Sequence, residues 1–153
     1  MEPKTTKNAA TDFLSHRTLA VVGVSRSGKK FGNAVVKELT AKGYRVVPVN
    51  PNASDIGGTR CYPSLQRIPE KIDGVVTVVP PAETSRVVRE AHDAGITRVW
   101  MQQGSESAEA ISFCRDHGMQ EVHGECILMF APEASFPHRT HRFIRGMFGK
   151  NPR

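Results

Sequence analysis

The sequence predicts a doubly wound α/β domain, a parallel sheet with helices on both faces, and three observations lead there. Short Val-rich runs alternate with apolar stripes at helical spacing along most of the chain, the pattern that repeated strand–helix units produce. Three of the stripes end alike, in a glycine, one apolar residue and then a β-rich run. A helix commonly stops on such a left-handed glycine, and the next apolar side chain closes the turn. The β-rich runs are apolar on both faces, which suits strands covered on both sides and joined by right-handed crossovers.

Residues 1–12 read as a polar segment ahead of a domain expected to span 13–130. The first strand falls on Leu19 to Val24. The first stripe, Val35, Val36 and Leu39, ends at Gly43-Tyr44 and leads into a strand at Arg45 to Val49. Pro48 removes a ladder donor, so this second strand is expected to be short or to stop there. From Pro51 to Asp73 the pattern weakens; Gly57-Gly58, Pro63 and Pro69 mark loops around a short strand near Arg60 to Tyr62. A strand over Gly74 to Val79 follows, then the stripe Val87, Val88, Ala91 and Ala94, the pair Gly95-Ile96 and a strand at Arg98 to Met101. The last unit is Ala108 and Ile111, then Gly118-Met119, then a strand at Gln120 to His123. Beyond Pro132, the residues Phe136, Phe143, Ile144, Met147 and Phe148 share one helical face, opposite Arg and His. Residues 131–153 are therefore expected to form a basic helical extension. It is expected to dock on the domain or across a homodimer seam, with no stable membrane association.

Composition narrows the function classes. With 153 residues, 39% apolar and 24% charged, the chain reads as one globular domain. No apolar run approaches the roughly 18 residues that cross a bilayer. Met1 to Thr11 lacks the apolar core of a signal peptide, and the three cysteines form no C-x-x-C pair. A reduced, cytoplasmic setting is expected. The net charge of +6 divides unevenly: residues 133–153 hold five Lys/Arg against Glu133, giving +4, and residues 1–132 hold 16 against 14, giving +2. A nearly neutral body with a basic tail is not the broad basic face of a duplex binder. One Trp and two Tyr supply few stacking platforms for single strands, so no nucleic-acid partner is expected.

What basicity the body has gathers on one loop. Gly23-Val24-Ser25-Arg26-Ser27-Gly28-Lys29-Lys30 lies between the first strand and the first helix. It reads as the dinucleotide fingerprint G-x-G-x-x-G with serine at its middle glycine, and equally as the G-x-x-x-x-G-K of a phosphate-binding loop. Both readings aim backbone N–H groups and a helix N-terminus at an anion. A nucleoside-triphosphatase is disfavoured because Lys30 stands where Ser/Thr holds magnesium, and no Asp closes the later strand before Pro80-Pro81. NAD is disfavoured because Asn50 and Pro51 follow the second strand where an acidic residue holds the ribose. A phosphorylated ribose stays open, since Arg26, Lys29 and Lys30 suit extra phosphate. The plainer alternative is a tight turn with solvated lysines. In a doubly wound sheet the other strand ends share the site, which brings in Pro80 and Pro81, then Met101, Gln102 and Gln103. Pro80-Pro81 also suits a simple helix start. His123 and Cys126 are expected together after the last strand; a small buried cysteine is the plainer reading there. No metal site is expected, because His138 and His141 have no nearby carboxylate or thiolate.

Val99-Trp100-Met101-Gln102-Gln103-Gly104, Pro48-Val49-Asn50-Pro51 and the Gly23-to-Gly32 loop together resemble the small CoA-binding proteins. Their domain is similar to the nucleotide-binding part of the succinyl-CoA synthetase alpha subunit. The resemblance covers roughly residues 13–130 and implies a Rossmann-like fold with coenzyme A across the carboxyl ends of the strands. It implies phosphate contacts at Gly23, Ser25, Arg26, Ser27 and Gly28, with Lys29 and Lys30 assisting. Further contacts are implied at Asn50, Pro51, Pro80, Pro81, Met101, Gln102 and Gln103. This sequence does not include the large domain in which the synthetase carries its phosphorylated histidine. The expected function is therefore binding of CoA or an acyl-CoA without catalytic machinery. The rival is an NADP- or acyl-CoA-dependent oxidoreductase or transferase using the same site.

Overall fold

Buried Val-rich segments must pair their backbone N–H and C=O groups, and here they pair into one sheet. The structure, a computed structural model, describes residues 7–131. Helix α1 (Lys7–Leu14) precedes β1 (Thr18–Val22), α2 (Phe31–Ala41) and β2 (Arg45–Val49). A hairpin of β3 (Asp55–Ile56) and β4 (Thr59–Arg60) leads through a 3-10 turn (Leu65–Arg67) to β5 (Gly74–Thr77). Then come α3 (Pro81–Asp93), β6 (Arg98–Gln102), α4 (Ala108–Asp116), β7 (Gln120–Glu125) and the single turn α5 (Ile127–Phe130). The main sheet has the order β2-β1-β5-β6-β7, and every neighbouring pair is parallel. This is the doubly wound, Rossmann-like architecture that the sequence predicts.

Alternation along the strands divides the core in two. Ala20, Val47, Val75, Val99 and Met101 face one way and pack with Val87, Val88 and Ala91 of α3 and Ile111 and Cys114 of α4. Leu19, Val21, Val46, Val76, Trp100 and Val122 face the other way, toward Ala10 and Phe13 of α1, Val35 and Leu39 of α2, and Ile127 and Leu128 of α5. Trp100 is fully buried, with Phe13 and Phe130 edge-on at 5.5 and 5.9 Å between centroids. Its indole N–H donates to the Glu125 carbonyl at 3.2 Å.

Three local expectations change, at the start of the body and at the ends of the strands. The polar segment 1–12 contains most of α1, whose Ala10, Phe13 and Leu14 are buried, so the folded body begins by Lys7. Strand β2 is short as expected, spanning Arg45–Val49 with Pro48 inside it. It is an edge strand, and the Pro48 carbonyl faces outward to accept from Tyr62 N–H at 3.1 Å. The missing donor of Pro48 lies on that same outer side, so the β1 ladder loses nothing. Strands β1 and β5 stop two residues short, at Val22 and Thr77, and β7 runs on to Glu125, so His123 lies inside a strand. The extension beyond Ala131, with its expected helix and homodimer seam, lies outside the described residues.

The topology reverses direction at β1. From β1 the chain moves to β2 on one side, then crosses to β5 on the other side of β1. Loops leaving β1 and β5 therefore diverge, opening a crevice above the carboxyl ends of those strands.

Candidate functional site

The floor of this crevice is a backbone contact. Gly23 leaves β1 with φ +120°, and a Cβ there would lie 2.2 Å from the Val78 carbonyl oxygen. Gly32, in the first turn of α2, is pressed on Gly23 in turn: its Cβ would lie 2.3 Å from the Gly23 oxygen. The close helix–strand approach of a dinucleotide fold thus rests on Gly32. Gly28, with φ +77° and open space around it, serves the turn itself.

Between these glycines the loop is braced from within. Asn33 Oδ1 accepts from the N–H of Ser25 at 2.9 Å and of Lys30 at 3.2 Å, and Asn33 Nδ2 donates to the Ser25 carbonyl at 3.0 Å. Ser25 Oγ accepts from Ser27 N–H at 3.0 Å and lies 2.8 Å from Ser27 Oγ, which accepts from Lys29 N–H at 3.3 Å. One hydroxyl proton joins the two serine oxygens, and the other remains for an incoming acceptor. Arg26, Ser27, Gly28, Lys29 and Lys30 are exposed. Among the described residues, no carboxylate lies within ion-pairing distance of Arg26, Lys29 or Lys30. Asn33→Ala should cost about 1–2 kcal/mol by stranding part-buried donors and acceptors. Chemical denaturation measures that loss, and an unchanged midpoint would remove Asn33 from the brace.

The other expected site residues divide into rim and scaffold. Asn50 Nδ2 donates to the Val24 carbonyl at 2.9 Å and its Oδ1 accepts from Asn52 N–H at 2.7 Å, so this amide ties the end of β2 to the β1 loop. Pro51, Pro80 and Pro81 are exposed, and Pro81 opens α3. Beneath them Thr77 Oγ1 meets Ser105 Oγ at 2.7 Å, and Thr84 Oγ1 donates to the Ser105 carbonyl at 2.6 Å. This buried hydroxyl cluster locks the start of α3 to the loop after β6.

Met101 is fully buried in the core. It supports the site from below and presents no side chain to the crevice. Gln102 is also buried, and its Oε1 accepts from Ile127 N–H at 3.0 Å to start α5. Gln103 is exposed, after a register shift between Trp100 and Gln102, with its N–H on the Glu125 carbonyl at 3.2 Å. The sequence reading did not identify Gly32, Asn33, Thr77, Thr84 or Ser105. Only Asn33, in the first turn of a helix, carried a local signal.

His123 is buried with Nδ1 2.7 Å from Glu121 Oε1, and Cys126 is part-exposed. Burial raises the Cys61 thiol pKa and pushes that of Cys114 up to about 12. Among the described residues no cluster of three or more His, Cys, Asp or Glu could hold a metal ion. In those residues no helix is long and apolar enough to cross a membrane.

The CoA binding domain family model matches residues 17–132. The chain belongs to the CoA-binding domain family. An ADP-forming acetate–CoA ligase II of Archaeoglobus fulgidus is 30% identical over 121 residues, which is 71% of this chain and 18% of the ligase. This CoA-binding domain thus spans under a fifth of that relative. A conserved hypothetical protein of Pyrococcus furiosus superposes with a TM-score of 0.71 at 40% identity, covering 74% of this chain and 98% of that one. The dinucleotide-forming acetyl-coenzyme A synthetase 1 of Candidatus Korarchaeum cryptofilum, solved with phosphate and ADP, superposes with a TM-score of 0.63 at 26% identity, covering 72% and 26%. The domain is thus similar to one found within acetate–CoA ligases.

Proposed function

We propose that this domain binds coenzyme A or an acyl-CoA in the crevice between the carboxyl ends of β1 and β5, and that it holds the ligand without transforming it. The observation that carries this reading is the braced loop from Gly23 to Lys30, with three exposed cations that have no carboxylate partner among the described residues, at the N-terminus of α2. Such a loop attracts phosphates through the helix end and the charges together. In this reading Ser25, Ser27 and Gly28 approach the diphosphate, and Arg26, Lys29 and Lys30 neutralise it. Pro51, Pro80, Pro81 and Gln103 form the rim. Asn50, Met101 and Gln102 act through the scaffold. Asn50, not an acidic residue, follows β2, and its amide bonds Val24 and Asn52, so this position offers no carboxylate to an unphosphorylated ribose, which favours CoA over NAD.

Melting and calorimetric titrations with CoA, acetyl-CoA, NADP, NAD and ATP test the reading. CoA at about 100 times its Kd should stabilise the chain by about 2.7 kcal/mol, whereas NAD should give no shift. A shift with NADP and none with CoA would favour the oxidoreductase alternative. Replacing Lys29 and Lys30 together by alanine should weaken CoA about tenfold, or 1.4 kcal/mol, and flatten the salt dependence. Unchanged affinity would take both lysines out of the site.

A further inference from the structure

A second feature lies at the β2 edge of the sheet, beside the strand ends that carry the cationic loop. On the α3 face, the last row of the sheet runs through Val49, Val22 and Thr77, which are in register. Tyr62 extends the row by an isolated parallel bridge to Val49. Val49 and Thr77 are buried, whereas Val22, Tyr62 and Val79 pack on the core only in part, leaving an apolar edge. Tyr62 to Val22 is two strand spacings, about 10 Å, on the scale of a nucleoside.

The Arg60 guanidinium sits 5.0 Å over the Tyr62 ring and is exposed. Its cross-strand partner in the hairpin is Asp55, yet among the described residues no carboxylate comes within ion-pairing distance of it. The platform is fixed: Cys61 N–H donates to the Ser54 carbonyl at 2.9 Å, Tyr62 N–H to Pro48 at 3.1 Å, and Asn50 N–H to Tyr62 at 2.9 Å. A stacked guanidinium keeps its edge donors for a phosphate.

We propose that Arg60, held on Tyr62, is a specificity-determining residue that pairs with the phosphate on the ligand's ribose, with the base against Val22 and Val79. This rests on the CoA reading above and deepens it: the loop holds the diphosphate, and the hairpin distinguishes a phosphorylated ribose from a plain one.

Titration of the full chain with CoA and with 3′-dephospho-CoA tests it. The native chain should prefer CoA about tenfold. Arg60→Met should weaken CoA about tenfold while leaving 3′-dephospho-CoA unchanged, so the preference disappears. Arg60→Lys should retain part of it, and Asp55→Asn should widen it by removing a competing negative charge. An equal loss for both ligands in Arg60→Met would make Arg60 a brace for the hairpin and overturn the proposal, as would an unchanged ratio. Equal binding of both ligands by the native chain overturns the Arg60 role alone. Binding of neither overturns the CoA reading and this role with it.

Discussion

Alanine at Gly23 should lower the melting temperature by about 10 °C. The added Cβ falls 2.2 Å from the Val78 oxygen and 2.6 Å from its carbon, both backbone atoms, at a φ of +120° that L-residues rarely adopt. Neither atom moves without opening the β1–β5 contact that floors the crevice. Overpacking of 1–3 kcal/mol and backbone strain of 1–3 kcal/mol combine to roughly 3 kcal/mol or more, which is about 6–12 °C for a chain of this size. Gly32→Ala tests the same contact from the helix side, where the obstacle is the Gly23 oxygen at 2.3 Å. Gly28→Ala is the control, since nothing lies within 4 Å and only its φ of +77° opposes the change, at about 1–2 kcal/mol. Circular-dichroism melts of the three variants should rank Gly28→Ala as the mildest. A Gly23→Ala melt within 2 °C of the native chain would refute the close approach.

The second large effect lies on helix α2, outside the crevice. Glu38 and Lys42 are 3% and 2% exposed and pair at 3.1 Å, one turn apart. Glutamate on the N-terminal side is the favourable order for such a pair, but burial makes the pair conditional. Lys42→Met leaves a buried carboxylate without its cation and should cost about 3–5 kcal/mol. Glu38→Leu with Lys42→Met removes both charges and should restore most of that loss, because well-packed apolar side chains often replace a buried ion pair without penalty. Urea titration of the single and double variants measures the difference. A double variant no more stable than Lys42→Met would show that the pair is not coupled as its geometry requires.

The parts of the fold visible in the sequence are those whose cause is local. Each glycine–apolar pair that ends a helix closes the same backbone bond: Tyr44 N–H reaches Leu39 at 3.1 Å, Ile96 reaches Ala91 at 2.9 Å and Met119 reaches Cys114 at 2.8 Å. These turns and the two-faced Val runs between them were enough to predict the parallel sheet. Helix α1 was not legible, because a few apolar residues in a short polar stretch give no sustained period; its packing shows only in the fold, in the burial of Ala10 and Leu14 and in Phe13 against Trp100. Pro48 pointed to a short second strand, but its being harmless inside that strand was not readable, because which side of a strand lacks a neighbour is a tertiary property. For the site, the cations and turn glycine of the loop were readable. The roles of Gly32 and of the Thr77–Thr84–Ser105 cluster were not, since Gly32 is pressed on a Gly23 that itself meets Val78, far along the chain, and Thr77 and Ser105 are 28 positions apart. Met101 and Gln102 end β6, but with helices covering both faces of the sheet both side chains are buried.

The burial of Trp100 also sets what light can report about this molecule. It is the sole indole of the chain, enclosed at 0% exposure between the rings of Phe13 and Phe130. Its emission therefore senses whether the first and last described helices remain seated on the sheet. Intrinsic fluorescence is thus a gauge of the closed body, and ligand occupancy at the strand ends calls for a separate probe.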